Sequence, residues 1–508
     1  MTGSTGVVPQ AVARWLSSHA VTNPPHGAPE PAAAIGRPLG RRTAALLVIG
    51  VFLALGSVAS GHLYSIDGLQ YFRVGERLLL DWSWVYDPPL VWGGPLRDPI
   101  TPIGLSLAYW PALALSLPLL QFQPHFSAAL YDQALLYNDP VYVASSWVNP
   151  LIASLTVLAT TSLSLRLGMG RTTAICVGLT ALFAGPLLFY ARADFPQPLS
   201  AALLVTALYL AVRVRQGEGA AAGLIVLVLT AAILTRPVDG LIAAAASTVV
   251  LAVPSATWVR IGRGQRAFSE VAAGVCAGSV LTLAVNAARR GSLLDFGPAP
   301  SGFFGSMRLG LAAELVSPGR GLAWYLPLTG LAVVGALVLW KSRHRAPLLG
   351  LAFPIVAYLL VYAKWQSLGA WSWGPRYLVP VVPLVVLLAA FALRGGAPRA
   401  GRIAFGVLAL VGGLENLAHI GVDQLQGFWG AYGNDTFGTP GFWKQFELGA
   451  FAPVASWNNF TGTPDVMLFR LIGTTHGFSL AVAGGLILAA GACLALALRA
   501  VASDPEPT

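Results

Sequence analysis

Asp67 lies just past the first long apolar run, within Tyr64-Ser-Ile-Asp-Gly-Leu-Gln-Tyr-Phe72. A carboxylate placed where a spanning segment gives way to a loop can take a proton from a hydroxyl held beside lipid headgroups, which is the task of a general base. Basic residues stand at comparable boundaries further along. Arg376 opens an apolar run in Trp371-Ser-Trp-Gly-Pro-Arg-Tyr377, and Arg320 does the same in Leu315-Val-Ser-Pro-Gly-Arg-Gly-Leu322. Lys364 closes a run. A guanidinium makes planar, bidentate hydrogen bonds to phosphate, and a helix start adds its partial positive charge. A base and phosphate-binding cations at one membrane face suit group transfer involving lipid-linked material. Trp371, Trp373 and Tyr377 frame Arg376, and Tyr71 follows Asp67, so these four aromatics are expected to line the substrate. The alternative for each cation is snorkelling to headgroups, and Asp67 could instead cap its own helix.

Two further acids belong with this group. Asp194, in Ala191-Arg-Ala-Asp-Phe-Pro196, occupies a tight turn between two apolar runs. It can bind an acceptor or help Asp67 hold a metal, and as a plain turn residue it would look the same. The hairpin Leu224–Pro254 has about fifteen residues per arm, roughly 22 Å at 1.5 Å per residue, short of a ~30 Å hydrocarbon core. Its tip, Thr235-Arg-Pro-Val-Asp239, is therefore expected below the membrane surface. Ionisable groups at that depth are costly and point to function, here Arg236 as a further phosphate ligand. An internal Arg236–Asp239 pair that merely secures the hairpin is the competing reading. His125, His419 and His476 lack metal-set spacing, and Cys176, Cys276 and Cys493 read as small buried hydrophobes.

The elements that must position these residues are membrane helices. Hydrophobic residues make up 56% of the 508 and charged ones 10%, against about 25% charged in soluble domains. The apolar residues come in runs of roughly 17–22, the length that crosses a bilayer as helix. About twelve such runs are expected, at 43–62, 146–166, 172–190, 197–213, 220–234, 238–254, 268–288, 323–340, 347–363, 376–393, 403–422 and 476–498. The fold class is all-α, a polytopic membrane bundle.

The loops alternate in charge. One set holds 18 of the 31 basic residues and five of the 21 acids, and the other holds the rest. The positive-inside rule puts the basic set in the cytoplasm, with both termini, and puts Asp67 on the extracytoplasmic face of the cell membrane. The net charge of +10 thus reflects topology, and its scatter over short loops speaks against nucleic acid. Residues 1–42 and 501–508 read as cytoplasmic tails. Residues 63–145 and 423–475 form long outer segments. In the first, 67–81 reads as an amphipathic interfacial helix with Leu69, Phe72, Gly75, Leu79 and Leu80 near one face and Arg73, Glu76 and Arg77 elsewhere. Residues 103–120, broken by Pro111 and Pro118, read as a second interfacial or re-entrant helix.

The order of these motifs resembles the polytopic glycosyltransferases of the GT-C superfamily, near the protein-mannosyltransferase and lipid A aminoarabinose-transferase-like bacterial branches. The matching features are Ser-Ile-Asp67-Gly, the Leu-Asp81-Trp helix end, Thr101-Pro-Ile-Gly-Leu, Ala-Arg192-Ala-Asp194, Leu-Thr-Arg236-Pro, Ser317-Pro-Gly-Arg-Gly-Leu and Trp373-Gly-Pro-Arg-Tyr. They cover roughly residues 43–400, inside a GT-C-like domain of 43–500. The resemblance implies transfer of a sugar from a polyprenyl phosphate to a hydroxyl of an envelope glycan, lipid or protein. It also implies Asp67 as base, the arginines on the lipid phosphate, and a divalent cation such as Mg or Mn. Many relatives carry two adjacent acids where this chain has Asp67-Gly68. A transporter of lipid-linked sugar is the competing class, favoured only by the Arg236–Asp239 tip. A non-catalytic envelope scaffold is the third.

Overall fold

The computed structural model describes residues 38–61, 66–80, 82, 102–120, 145–219, 221–252, 261–296, 305–341, 345–365, 372–393, 399–420, 439–451, 454 and 467–502. All regular structure in these residues is helical. The chain begins with α1 (Arg41–Ser57), α2 (Ile66–Leu80), α3 (Gly104–Ala108) and α4 (Trp110–Leu120). The central bundle follows as α5 (Val148–Arg166), α6 (Arg171–Phe183), α7 (Leu187–Arg192), α8 (Gln197–Arg215), α9 (Ala221–Thr235), α10 (Pro237–Ala252) and α11 (Ile261–Arg290). After α12 (Met307–Val316) and α13 (Leu322–Tyr325) come α14 (Thr329–Lys341), α15 (Arg345–Tyr362), a 3-10 turn Arg376–Val381 and α16 (Val382–Phe391). The last are α17 (Arg399–Ile420), α18 (Pro440–Lys444), a 3-10 turn Leu448–Ala450 and α19 (Met467–Ala502).

Among the described residues five helices are long and apolar enough to cross a membrane, namely Val148–Arg166, Gln197–Arg215, Gln265–Arg290, Arg399–Leu417 and Ala481–Val501. The other expected spans meet shorter apolar helices, for reasons visible in the sequence. The run 172–190 breaks at Gly185-Pro186, and 376–393 begins as a 3-10 turn containing Pro380, because proline withdraws a backbone donor. The protein is a multi-pass membrane protein. Along α17, Ile403, Val407, Leu410, Leu414 and Leu417 all face outward, an apolar stripe at helical spacing that lipid, unlike water, accommodates. In α5 the hydroxyls of Ser154, Thr156, Thr160 and Ser164 each donate to a carbonyl four residues back in the same helix. Such internal bonding is what a low-dielectric setting requires.

α5, α8, α9, α10, α15 and α16 surround the main core, which runs from Leu47 to Val501. α1 packs along α19, so the two ends of the described chain close against each other. α2, α3 and α4 pack together over one end of this bundle. Helix α2 forms where expected, but with a different burial pattern. Arg73 and Glu76 are buried and ion-paired with each other, and Arg77 and Leu80 are exposed. The helix is wrapped on nearly all sides, because α3 and α4 cover the flank that an interfacial helix would turn to water. The 103–120 segment divides at Tyr109 and docks onto the tip of the α9–α10 hairpin. A side chain on Gly104 would strike the backbone of Thr235. Cys176 and Cys276 are free and exposed on the helix surface rather than buried.

Candidate active site

The site is built where the turn after α7 meets the start of α2. Asn149, buried on α5, donates its amide to the carbonyls of Ala193 and Phe195, the latter at 3.0 Å. This clamp fixes the turn that carries Asp194, which is 5% exposed. The Asp194 carboxylate lies against Gly68, so close that a Cβ on Gly68 would coincide with it. Glycine at 68 is thus required by packing. Asp194 thus brings a second acid to the start of α2 from another loop.

Asp67 sits in the first turn of α2, where a helix start favours negative charge. Its Oδ2 accepts a hydrogen bond from Arg376 Nη2 at 2.6 Å, across 309 residues of sequence. Asp67 keeps 43% of its side chain exposed and Arg376 14%. Exposure of that order screens the pair, so it adds little to stability and matters for its geometry. The Arg376 guanidinium also lies 4.3 Å from the Phe195 ring centre, so the Asp194 turn supports both partners.

On its far side Arg376 adjoins Tyr377, whose ring stacks on Tyr362 at 4.5 Å and 10°. Arg236 lies beside this stack, 5.2 Å from the Tyr362 ring centre and 5.5 Å from that of Tyr377, and pairs with Asp239 at 3.2 Å. The internal pair weighed for the hairpin therefore exists, within reach of the Arg376 side of the site. Tyr71 is buried among the same charges. Burial first, then Asp67, pushes its phenol above the usual tyrosine range, while Arg236 and Arg376 pull the other way. Tyr109 is raised by burial, then by Asp194 and by Tyr71. The structure thus gathers Asp67, Asp194, Arg376, Arg236, Tyr71 and Tyr377 into one neighbourhood.

Other expected site residues are placed differently. Arg320 is 1% exposed, and its Nη1 donates to the carbonyls of Ser372 and Gly374, the latter at 3.2 Å, and to Ser372 Oγ. That guanidinium braces the loop leading to Arg376 rather than presenting itself to a ligand. Trp373 is a core side chain, packed edge-on against Phe189 at 4.6 Å and Tyr325 at 5.8 Å. Lys364 is half-buried at the end of α15, with its carbonyl accepting from Gly305 at 3.0 Å. Trp371 and Asp81 lie outside the described residues. Sequence reasoning passed over Asn149, Phe195, Tyr109 and Tyr362. Asn149 carried a signal, as an amide inside an apolar run; the aromatics carried none, since membrane helices are rich in them. Among the described residues no group of three or more His, Cys, Asp or Glu side chains could hold a metal.

No family model matches the chain, and no curated protein matches it. Among solved structures, ArnT from Cupriavidus metallidurans in the apo state is similar with a TM-score of 0.47 and 15% identity, over 90% of this chain and 74% of that one. ArnT bound to undecaprenyl phosphate gives 0.48 and 16%, over 91% and 80%. The Archaeoglobus fulgidus oligosaccharyltransferase AglB, in complex with an inhibitory peptide and a dolichol-phosphate, gives 0.45 and 10%, over 88% of this chain and 59% of its own.

Proposed function

We propose that this protein is a membrane glycosyltransferase. It moves a sugar from a polyprenyl phosphate, the ligand class named for ArnT and AglB, to a hydroxyl of an envelope glycan, lipid or protein on the extracytoplasmic side. The observation that carries this reading is the Asp67–Arg376 pair at 2.6 Å. It sets a half-exposed carboxylate beside a guanidinium at a helix start, with Asp194 and Arg236 close by.

The reaction is a direct displacement with inversion. Asp67 takes the proton of the acceptor hydroxyl as its oxygen forms a bond to the anomeric carbon. The bond from that carbon to the phosphate oxygen breaks, and its electron pair leaves on the polyprenyl phosphate. Arg376 stabilises that growing charge, with Arg236 as a second cation. In the free protein Arg376 is engaged by Asp67. A donor phosphate competes for the guanidinium and so releases the carboxylate to act as base. Arg320 serves by holding the 372–374 loop, and Lys364 is a peripheral cation for the lipid headgroup region. Asp194 orients the acceptor. One carboxylate with phosphate oxygens suffices for a Mg-like ion, so Asp194 would be the side chain to hold a divalent cation, which would supply further charge neutralisation.

The test is purified protein challenged with a panel of radiolabelled polyprenyl-phosphate sugars. Asp67→Asn is expected to lower transfer by about 10²–10⁴ while expression and thermal stability stay as in the wild type. Near-normal turnover by that variant would remove Asp67 as base. Movement of the intact lipid-linked sugar across proteoliposomes, without transfer, would make the protein a transporter.

A further inference from the structure

The hairpin tip is more than an anchor for Arg236. Tyr362 donates its hydroxyl to Asp239 Oδ1 at 3.0 Å, while Asp239 Oδ2 accepts from Arg236 Nη1 at 3.2 Å. Asp239 is 3% exposed, and so is Tyr362. The Tyr362 ring lies nearly parallel to that of Tyr377, and Trp365 leans on both at 6.3 Å. Tyr377 is the residue after Arg376, within the same 3-10 turn. The Arg376 guanidinium is itself 6.0 Å from the Tyr377 ring centre. Arg376 is therefore held from two directions. Arg320 fixes the backbone before it, and the Asp239–Tyr362–Tyr377 series fixes the ring after it.

We propose that Asp239 and Tyr362 are positioning residues, which set Arg376 against Asp67 by locking the Tyr377 ring to the α9–α10 hairpin. Neither touches the reacting atoms. Stacked rings hold one another by both area and electrostatics, and a buried carboxylate that satisfies a hydroxyl and a guanidinium together fixes the angle between their elements. A ring shift of about 1 Å at Tyr377 carries the start of the Arg376 side chain with it, an error that costs a catalytic arrangement heavily. The importance of this for turnover rests on Arg376 gripping the departing phosphate.

The experiment uses the full chain in lipid nanodiscs with undecaprenyl monophosphate as probe. Tyr362→Leu removes the stack and is expected to weaken binding about tenfold, the scale of an aromatic pair. Tyr362→Phe keeps the rings and should recover most of that loss. Asp239→Asn keeps the shape but not the charge and should weaken binding about threefold. The Asp239→Asn/Tyr362→Phe double variant should lose less than the product of the single losses, because both act through one device. A cryo-electron microscopy structure of Tyr362→Leu supplies a second readout, in which Arg376 leaves Asp67. Wild-type protein that ignores the probe, with Arg376 displaced in Tyr362→Leu, would sink the proposed function and keep the positioning role. A Tyr362→Leu protein with unchanged affinity and an intact Arg376–Asp67 contact would overturn the positioning role. If Tyr362→Leu does not fold, the double-variant cycle decides, and wild-type binding by both single variants is the overturning result.

Discussion

Two short turns, Ser317-Pro-Gly-Arg320 and Trp373-Gly-Pro-Arg376, look alike in sequence and end in opposite fates. Both place an arginine after glycine and proline at a helix start. Arg320 is engulfed, and its donors go to the carbonyls of the second turn. Arg376 remains partly open and reaches a carboxylate 309 residues away. One turn is the scaffold of the other. A motif of this type marks a place where a cation is held firmly, and the surrounding carbonyls decide whether it serves backbone or ligand.

The contrast can be broken at either arginine. Arg376→Gln should lower transfer by about 10²–10³, the loss of one electrostatic stabiliser, with the melting temperature within about 2 °C of the wild type because its partner is exposed and screened. Arg320→Gln should do the reverse. Removing a guanidinium from buried carbonyls leaves acceptors unsatisfied at about 1–3 kcal/mol each. Thermal-shift assays should therefore show a fall of several degrees, with specific activity of the folded fraction reduced far less than in Arg376→Gln. Equal effects of the two substitutions on turnover would erase the distinction between brace and site.

Gly68→Ala sharpens the site side. The added methyl displaces the Asp194 carboxylate and should reduce transfer about tenfold, corresponding to 1.4 kcal/mol, with a small stability loss. Unchanged kinetics would separate Asp194 from the reaction. The smallest effect is expected on the brace side, at Glu314, three residues before Ser317. Its Oε2 has no partner among the described residues, and burial holds the carboxyl well above the usual range. An acid with a raised folded-state pKa contributes stability that is complete below its unfolded value of about 4.3 and is lost as pH rises toward the folded value. Glu314→Gln does not titrate. Its melting temperature should match the wild type near pH 4 and exceed it by about 2 °C at pH 8. A difference that shrinks with rising pH would contradict the buried, protonated state.

Much of the scaffold was legible. The apolar runs and the hairpin at 236–239 correspond to helices, since hydropathy acts over one helix length, whereas Gly185-Pro186 and Pro380 break runs that were expected to be continuous. The burial of Arg73 and Glu76 was not legible, because the pattern of α2 is amphipathic in isolation and α3 and α4 supply the cover. The role of Gly68 was equally hidden. In the sequence it is only a glycine after Asp67, and in the fold it is the space that Asp194 occupies.

Taken alone, the order of residues determined a multi-pass helical protein with charged groups concentrated at helix ends, because transfer into hydrocarbon depends on composition over one helix length. Tertiary packing decided which of those charges meet. Whether an arginine finds a carboxylate or a carbonyl depends on how helices distant in the chain pack together, and on which acceptors that packing leaves without a donor.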